Sequence, residues 1–109
     1  MQFCVIGRAV DSSNVPPQAV LAMGKQTFQM MASNQESRIK AIYPFAGERA
    51  GLMIIDVQSG DELQEVISSL PLSGVSDFEI HPLGTLQSVL KSLEVAEKQM
   101  AAMTPAGVR

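Results

Sequence analysis

The side chains able to move protons in this chain are few and scattered. His81, Tyr43 and Cys4 are the only residues of their kinds among 109. Histidine is the side-chain type best suited to proton transfer near neutrality, and His81 is the only one. It precedes Pro82, where it could act as a base or simply make one hydrogen bond at a strand end. Tyr43, just before Pro44, could donate to a developing enolate oxygen or stack on a planar ligand. The plainer alternative is a sheet-face aromatic with its hydroxyl in water. Glu48 could accept a proton, yet beside Arg49 at a turn it also reads as half of a surface ion pair. A base, an oxyanion donor and a cation for a carboxylate are what a proton shift beside a carbonyl requires.

The cations placed to meet a ligand or a sheet edge are Arg8, Arg38 and Lys40. Arg8 sits in an apolar strand and could grip a carboxylate at two points, or snorkel from the strand end. Cys4 shares its face and reads as a small buried thiol, with no second Cys or placed His to activate it. Gly-rich dinucleotide and phosphate loops, the nucleophile-elbow pentapeptide and metal-spaced His/Cys clusters do not occur. The seven methionines read as core filling rather than a soft-metal site. The expectation is a protein without metal or organic cofactor.

The elements that would position these groups follow from periodicity. Residues 3–10 alternate as a strand, with Phe3, Val5, Gly7 and Ala9 on an apolar face and Gln2, Cys4, Ile6 and Arg8 on the other. Residues 11–15 form a turn-rich loop, and Pro16-Pro17 opens a helix over 18–32. Lys25 is that helix's only charge, which predicts cover on both faces. Residues 37–45 and 48–57 read as strands joined at Ala46-Gly47. Ser59 or Asp61 caps a second helix, with Glu62 and Glu65 in its first turn. Leu63, Val66, Ile67 and Leu70 form its inner face, and Pro71 stops it. Residues 75–81 form the last strand.

The order β-α-β-β-α-β is the ferredoxin-like split motif, an α+β fold with helices on one sheet face. The other face is left bare, so two copies are expected to pair sheets around a shared barrel. Residues 1–84 would make this domain, and 85–109 a helical extension of it. In that extension Leu86, Val89, Leu93, Ala96, Met100 and Met103 recur in steps of three and four, the seam of a helix that packs on another helix, either docked on its own subunit or exchanged between subunits. Leu90 widens the seam, and Glu94 and Lys98 form an i, i+4 pair outside it. Residues 104–109 read as a frayed end.

Composition sets the outer bounds. One domain of this length hides roughly two-thirds of its unfolded surface. Hydrophobic residues make up 46% of the chain, but only 5% are aromatic and none is Trp. Apolar area is therefore expected to be shared with other subunits. A net charge of −3 without any Lys/Arg cluster argues against nucleic acid. The apolar run at the start is short and broken by Arg8, and no stretch is long enough to span a membrane. With a single Cys, the chain reads as a soluble cytoplasmic protein.

Asp56-Val57, Asp61-Glu62-Leu63, Ser69-Leu70-Pro71-Leu72 and Glu79-Ile80-His81-Pro82-Leu83 together resemble the muconolactone delta-isomerase family. The resemblance extends more weakly through Gly47-Glu48-Arg49-Ala50, so about half the chain carries it. It implies a dimeric α+β barrel, assembled further into rings, and a cofactor-free proton shift within an unsaturated lactone. The ligand would be small, planar and anionic. On this resemblance His81 or Glu48 would be the base, Tyr43 the oxyanion donor, and Arg8 or Lys25 the carboxylate clamp, with Gln26 and Arg49 as further binding residues. One departure matters. Lys25-Gln26 falls where the family shows a basic–acidic pair, and Gln26 cannot serve as a carboxylate base. A non-catalytic ligand-binding or assembly protein of the same fold is therefore the second expectation. Cofactorless oxygenation, known in other dimeric α+β barrel proteins, is the third.

Overall fold

The computed structural model describes residues 1–10 and 14–103. Most of the loop read at 11–15, and all of 104–109, lie outside those residues. The elements are β1 (Gln2–Ala9), α1 (Pro17–Ala32), β2 (Ile39–Pro44), β3 (Ala50–Asp56), α2 (Gly60–Ser69), a 3₁₀ turn (Pro71–Val75), β4 (Ser76–Pro82) and α3 (Leu86–Met103). The strands form one sheet in the order β2-β3-β1-β4, every pair antiparallel. This is the ferredoxin-like arrangement expected from the sequence, extended by α3.

Local chemistry sets the boundaries. Pro16 and Pro17 start α1, where a missing N–H costs no helical bond. At α2, Ser59 Oγ accepts from the Glu62 N–H at 3.2 Å, and the Glu62 carboxylate accepts from the Gln58 N–H at 2.8 Å. Ser59 is thus the cap, and the reciprocal bond is a shifted form of the capping box. The β2–β3 connection is longer than the sequence pattern implied. Phe45 donates to the Ala50 carbonyl at 2.9 Å, which closes a loop holding Gly47 at φ +80°. Glu48 and Arg49 lie in that loop rather than in β3.

The core forms where α2 covers the sheet. Phe3, Val5, Ile39, Met53, Ile55 and Val57 meet Leu63, Val66 and Leu70 there. Cross-strand register puts Phe3 opposite Ile55, and Ile55 opposite Ile39. A register shift between Ile39 and Ala41 lets β2 send Ile39 and Ile42 toward the helices while Ala41 and Tyr43 face away.

Arg38 ties the start of β2 to α2. Its guanidinium donates to both oxygens of Glu36 at 2.8 and 2.9 Å and reaches Glu62 at 3.4 Å. The Arg38 hydrogen bond holds the Glu36 carboxyl below its ordinary 4.5, against the opposing effect of its partial burial. A carboxyl depressed in the fold contributes stability above its unfolded value and loses it as pH falls through its folded one. Urea midpoints are therefore expected to decline once pH drops below 4.5. That part of the decline should be missing in Arg38→Met.

Thr27 is the one buried polar residue among those described. Its hydroxyl donates to the Met23 carbonyl at 2.8 Å and accepts from the Leu72 N–H at 3.1 Å, pinning α1 to the 3₁₀ turn. Thr27→Val keeps the shape but strands the Leu72 N–H. It should cost about 1–3 kcal/mol in urea unfolding, against little for Thr27→Ser.

Candidate functional site

A cavity of about 420 Å³ lies between α1 and the sheet, bordering the α2-covered core, with which it shares Met53 and Leu70. Two glycines line its floor. Gly7 on β1 and Gly51 on β3 are direct cross-strand partners on the helix-facing side. A Cβ at Gly7 would lie 3.1 Å from the Phe78 ring, and one at Gly51 3.3 Å from the Tyr43 carbonyl oxygen. Gly24 on α1 also lines the space, and α1 packs on the 3₁₀ turn rather than closely on the strands. The walls are Met31, Ile42, Met53, Leu72 and Phe78. Such a lining suits a small molecule with an apolar body.

Its polar groups are few. Lys25 and Thr27 come from α1, Glu48 and Arg49 from the β2–β3 loop, and Ser76 from the start of β4. Glu48 is also held by Arg8, whose Nη1 lies 3.2 Å from its Oε2; both side chains are more than half exposed. The Arg8 guanidinium carbon stands 5.8 Å from the centre of the Phe45 ring. Two cations and one carboxylate thus share the lining of an apolar slot, where a bound anion and a proton acceptor could meet.

The remaining candidates occupy the opposite sheet face. Register places Arg8, Cys4, Ile6, Leu52, Ile54, Tyr43, Glu79 and His81 there. His81 is the cross-strand partner of Cys4, and its Nε2 lies 2.7 Å from Glu79 Oε2. That hydrogen bond holds the Glu79 carboxyl below its usual range. Tyr43 is 62% exposed. Of the residues expected at the site, Lys25, Glu48 and Arg49 therefore come together at the cavity, and Arg8 touches it through Glu48. His81 and Tyr43 sit across the sheet, and Gln26 is exposed on α1 outside the lining. Arg38 is taken up by its carboxylates, and Lys40 is exposed at the β2 register shift. The Gly7–Gly51 pair, Phe78 and Ser76 were not singled out as site residues. The strand phase of Gly7 is their only trace in the sequence.

Three comparisons bear on this arrangement. The family described as muconolactone delta-isomerase matches residues 1–89. Among solved structures, a muconolactone isomerase superposes with a TM-score of 0.64 at 23% identity, over 78% of this chain and 90% of that one. A 5-chloro-2-hydroxyhydroquinone dehydrochlorinase from Burkholderia phenoliruptrix AC1100, in complex with 2,5-dihydroxybenzoquinone, superposes with a TM-score of 0.57 at 13% identity. That alignment covers 81% of this chain and 98% of the dehydrochlorinase. No curated protein matches the chain. At these identities the two structures establish the fold. Among the described residues no helix is long and apolar enough to cross a membrane.

Proposed function

Because the chain belongs to the muconolactone delta-isomerase family, we propose that it binds a small, planar, anionic lactone or carboxylate between α1 and the sheet and catalyses a cofactor-free proton shift there. The observation that carries this reading is the glycine-floored slot with Glu48, Lys25 and Arg49 in its lining. The flat dihydroxybenzoquinone bound to the dehydrochlorinase neighbour suits a slot of the same kind.

The chemistry needs one base used twice. Glu48 takes a proton from the carbon next to the unsaturated lactone system. The electron pair moves through the conjugated bonds onto the carbonyl oxygen, and the proton returns at the far carbon, so the double bond has moved and nothing is consumed. Lys25 and Arg49 hold the substrate carboxylate and keep it from repelling the enolate. Two hydroxyls among the described residues line the cavity, and with Thr27 engaged by the Met23 carbonyl and the Leu72 N–H, Ser76 is the donor nearest in kind to the oxyanion partner assigned to Tyr43 from sequence. Two copies would bury the strip formed by Cys4, Ile6, Leu52 and Ile54 and close the barrel, with Arg8, Tyr43 and His81 at that junction.

A second reading has its own support. Among the described residues Glu48 is the only carboxylate lining the cavity, and it is already paired with Arg8, while α1 contributes no acid at all. A protein that binds such an anion without turning it over fits those facts. The deciding experiment is incubation with muconolactone in heavy water, followed by proton NMR. Conversion with deuterium at the rearranged carbons supports the isomerase. Saturable binding without exchange supports the second reading, and neither result overturns both.

A further inference from the structure

We propose that α3 is a self-association helix, whose apolar seam pairs with the same seam on a second copy of this chain. The helix leaves the α+β domain entirely. None of its 18 residues is buried, and the molecule measures 70 × 28 × 25 Å as a result. Leu86, Leu93 and Met100 alternate with Val89, Ala96 and Met103 at the strict three-four spacing of a coiled-coil seam, over about 27 Å of helix. Leu90 widens the seam at one position, and the stripe is otherwise narrower than that of a helix lying on a globular surface.

Charge and area both favour a like partner. Lys91, Glu94 and Lys98 fall outside the seam, only Glu97 flanks it, and the four charges sum to zero. Two copies therefore meet without the repulsion that the net charge of −3 would otherwise bring. Leu86 is 83% exposed, Leu93 56% and Met103 80%. At roughly 60–120 Å² of apolar surface per such side chain, a pair of these helices would bury on the order of 1,000 Å², the lower bound for a specific interface. The pairing is separate from the cavity chemistry and from any sheet-face contact.

The test uses the full chain and two independent readouts. In sedimentation, Leu93→Glu should at least halve the assembly mass, and the outward-facing Lys91→Glu should leave it unchanged. Helical ellipticity should fall in Leu93→Glu, because a lone helix of this length is marginal in water. Its urea midpoint should persist, since α3 adds nothing to the buried core. Ala96 lies near the middle of the seam, so either helix direction brings two copies of that position within a turn of each other. Ala96→Cys in a Cys4→Ser chain should crosslink on oxidation, and Lys91→Cys in the same background should not. An unchanged mass in Leu93→Glu overturns the proposal. A lowered mass without the Ala96 crosslink also overturns it, because the seam would then dock on some other surface.

Discussion

Glu48→Gln should lower muconolactone turnover by about 10²–10⁴-fold, the usual worth of a positioned base, and leave the fold untouched. Glu48 sits in the β2–β3 loop with its side chain 54% exposed, and substitutions of that kind seldom change stability by more than about 0.5 kcal/mol. The amide keeps the size of the carboxylate and can still accept from Arg8. What it loses is the ability to carry a proton, so kcat should fall while KM changes little. Deuterium exchange at the substrate carbon should fall in parallel, because it reports the same step. Arg8→Met separates base from ion pair, removing the 3.2 Å partner but leaving the carboxylate. A drop of less than tenfold is expected there. Lys25→Ala should instead raise KM, because it removes a contact made in ground and transition states alike. Full activity in Glu48→Gln together with its loss in His81→Ala would move the chemistry to the opposite sheet face.

The fold was legible because each element carries its own punctuation. Pro16-Pro17, Ser59 and Pro71 mark helix ends by backbone chemistry that no tertiary contact overrides, and the alternation of Phe3 and Val5 with Cys4 and Ile6 gives the strand phase. The site was legible only in part. Lys25, Glu48 and Arg49 carry chemistry in their side chains, so sequence could propose them. The cavity is lined in part by glycine, at Gly7, Gly24 and Gly51. Gly7 and Gly51 become neighbours only when β1 and β3 pair in one register. No local pattern announces a floor lined by two glycines.

His81 and Tyr43 illustrate the converse. Each is the single residue of its type, and each faces away from the cavity. Tyr43 is placed by the register shift at Lys40, since an unbroken β2 would have turned it to the helix side. Sequence could name these groups but not the face each would reach. The α3 seam was legible for the reason the cavity was not, since six apolar positions in one continuous helix need no partner strand to define them.

Ile55→Ala should be the most damaging single change to the domain, at about 2–5 kcal/mol. Ile55 is fully buried in the second strand of the sheet, between Phe3 on β1 and Ile39 on β2, and α2 covers it with Leu63 and Val66. Partners on three sides belong to separate elements, so collapse around the missing atoms would have to move the sheet. Set against a total of about 5–15 kcal/mol, that loss should lower the urea midpoint by a large fraction of its value. Its neighbour Ile54 offers an internal comparison, because one step along the strand turns it to the open sheet face opposite Cys4. Ile54→Ala removes the same atoms from a site that a second copy would cover. Its cost should therefore grow with protein concentration by mass action, and that of Ile55→Ala should not. Equal, concentration-independent losses at both positions would mean that the sheet face is not an interface. A loss below about 1 kcal/mol at Ile55 would mean that α2 does not seal the core as described.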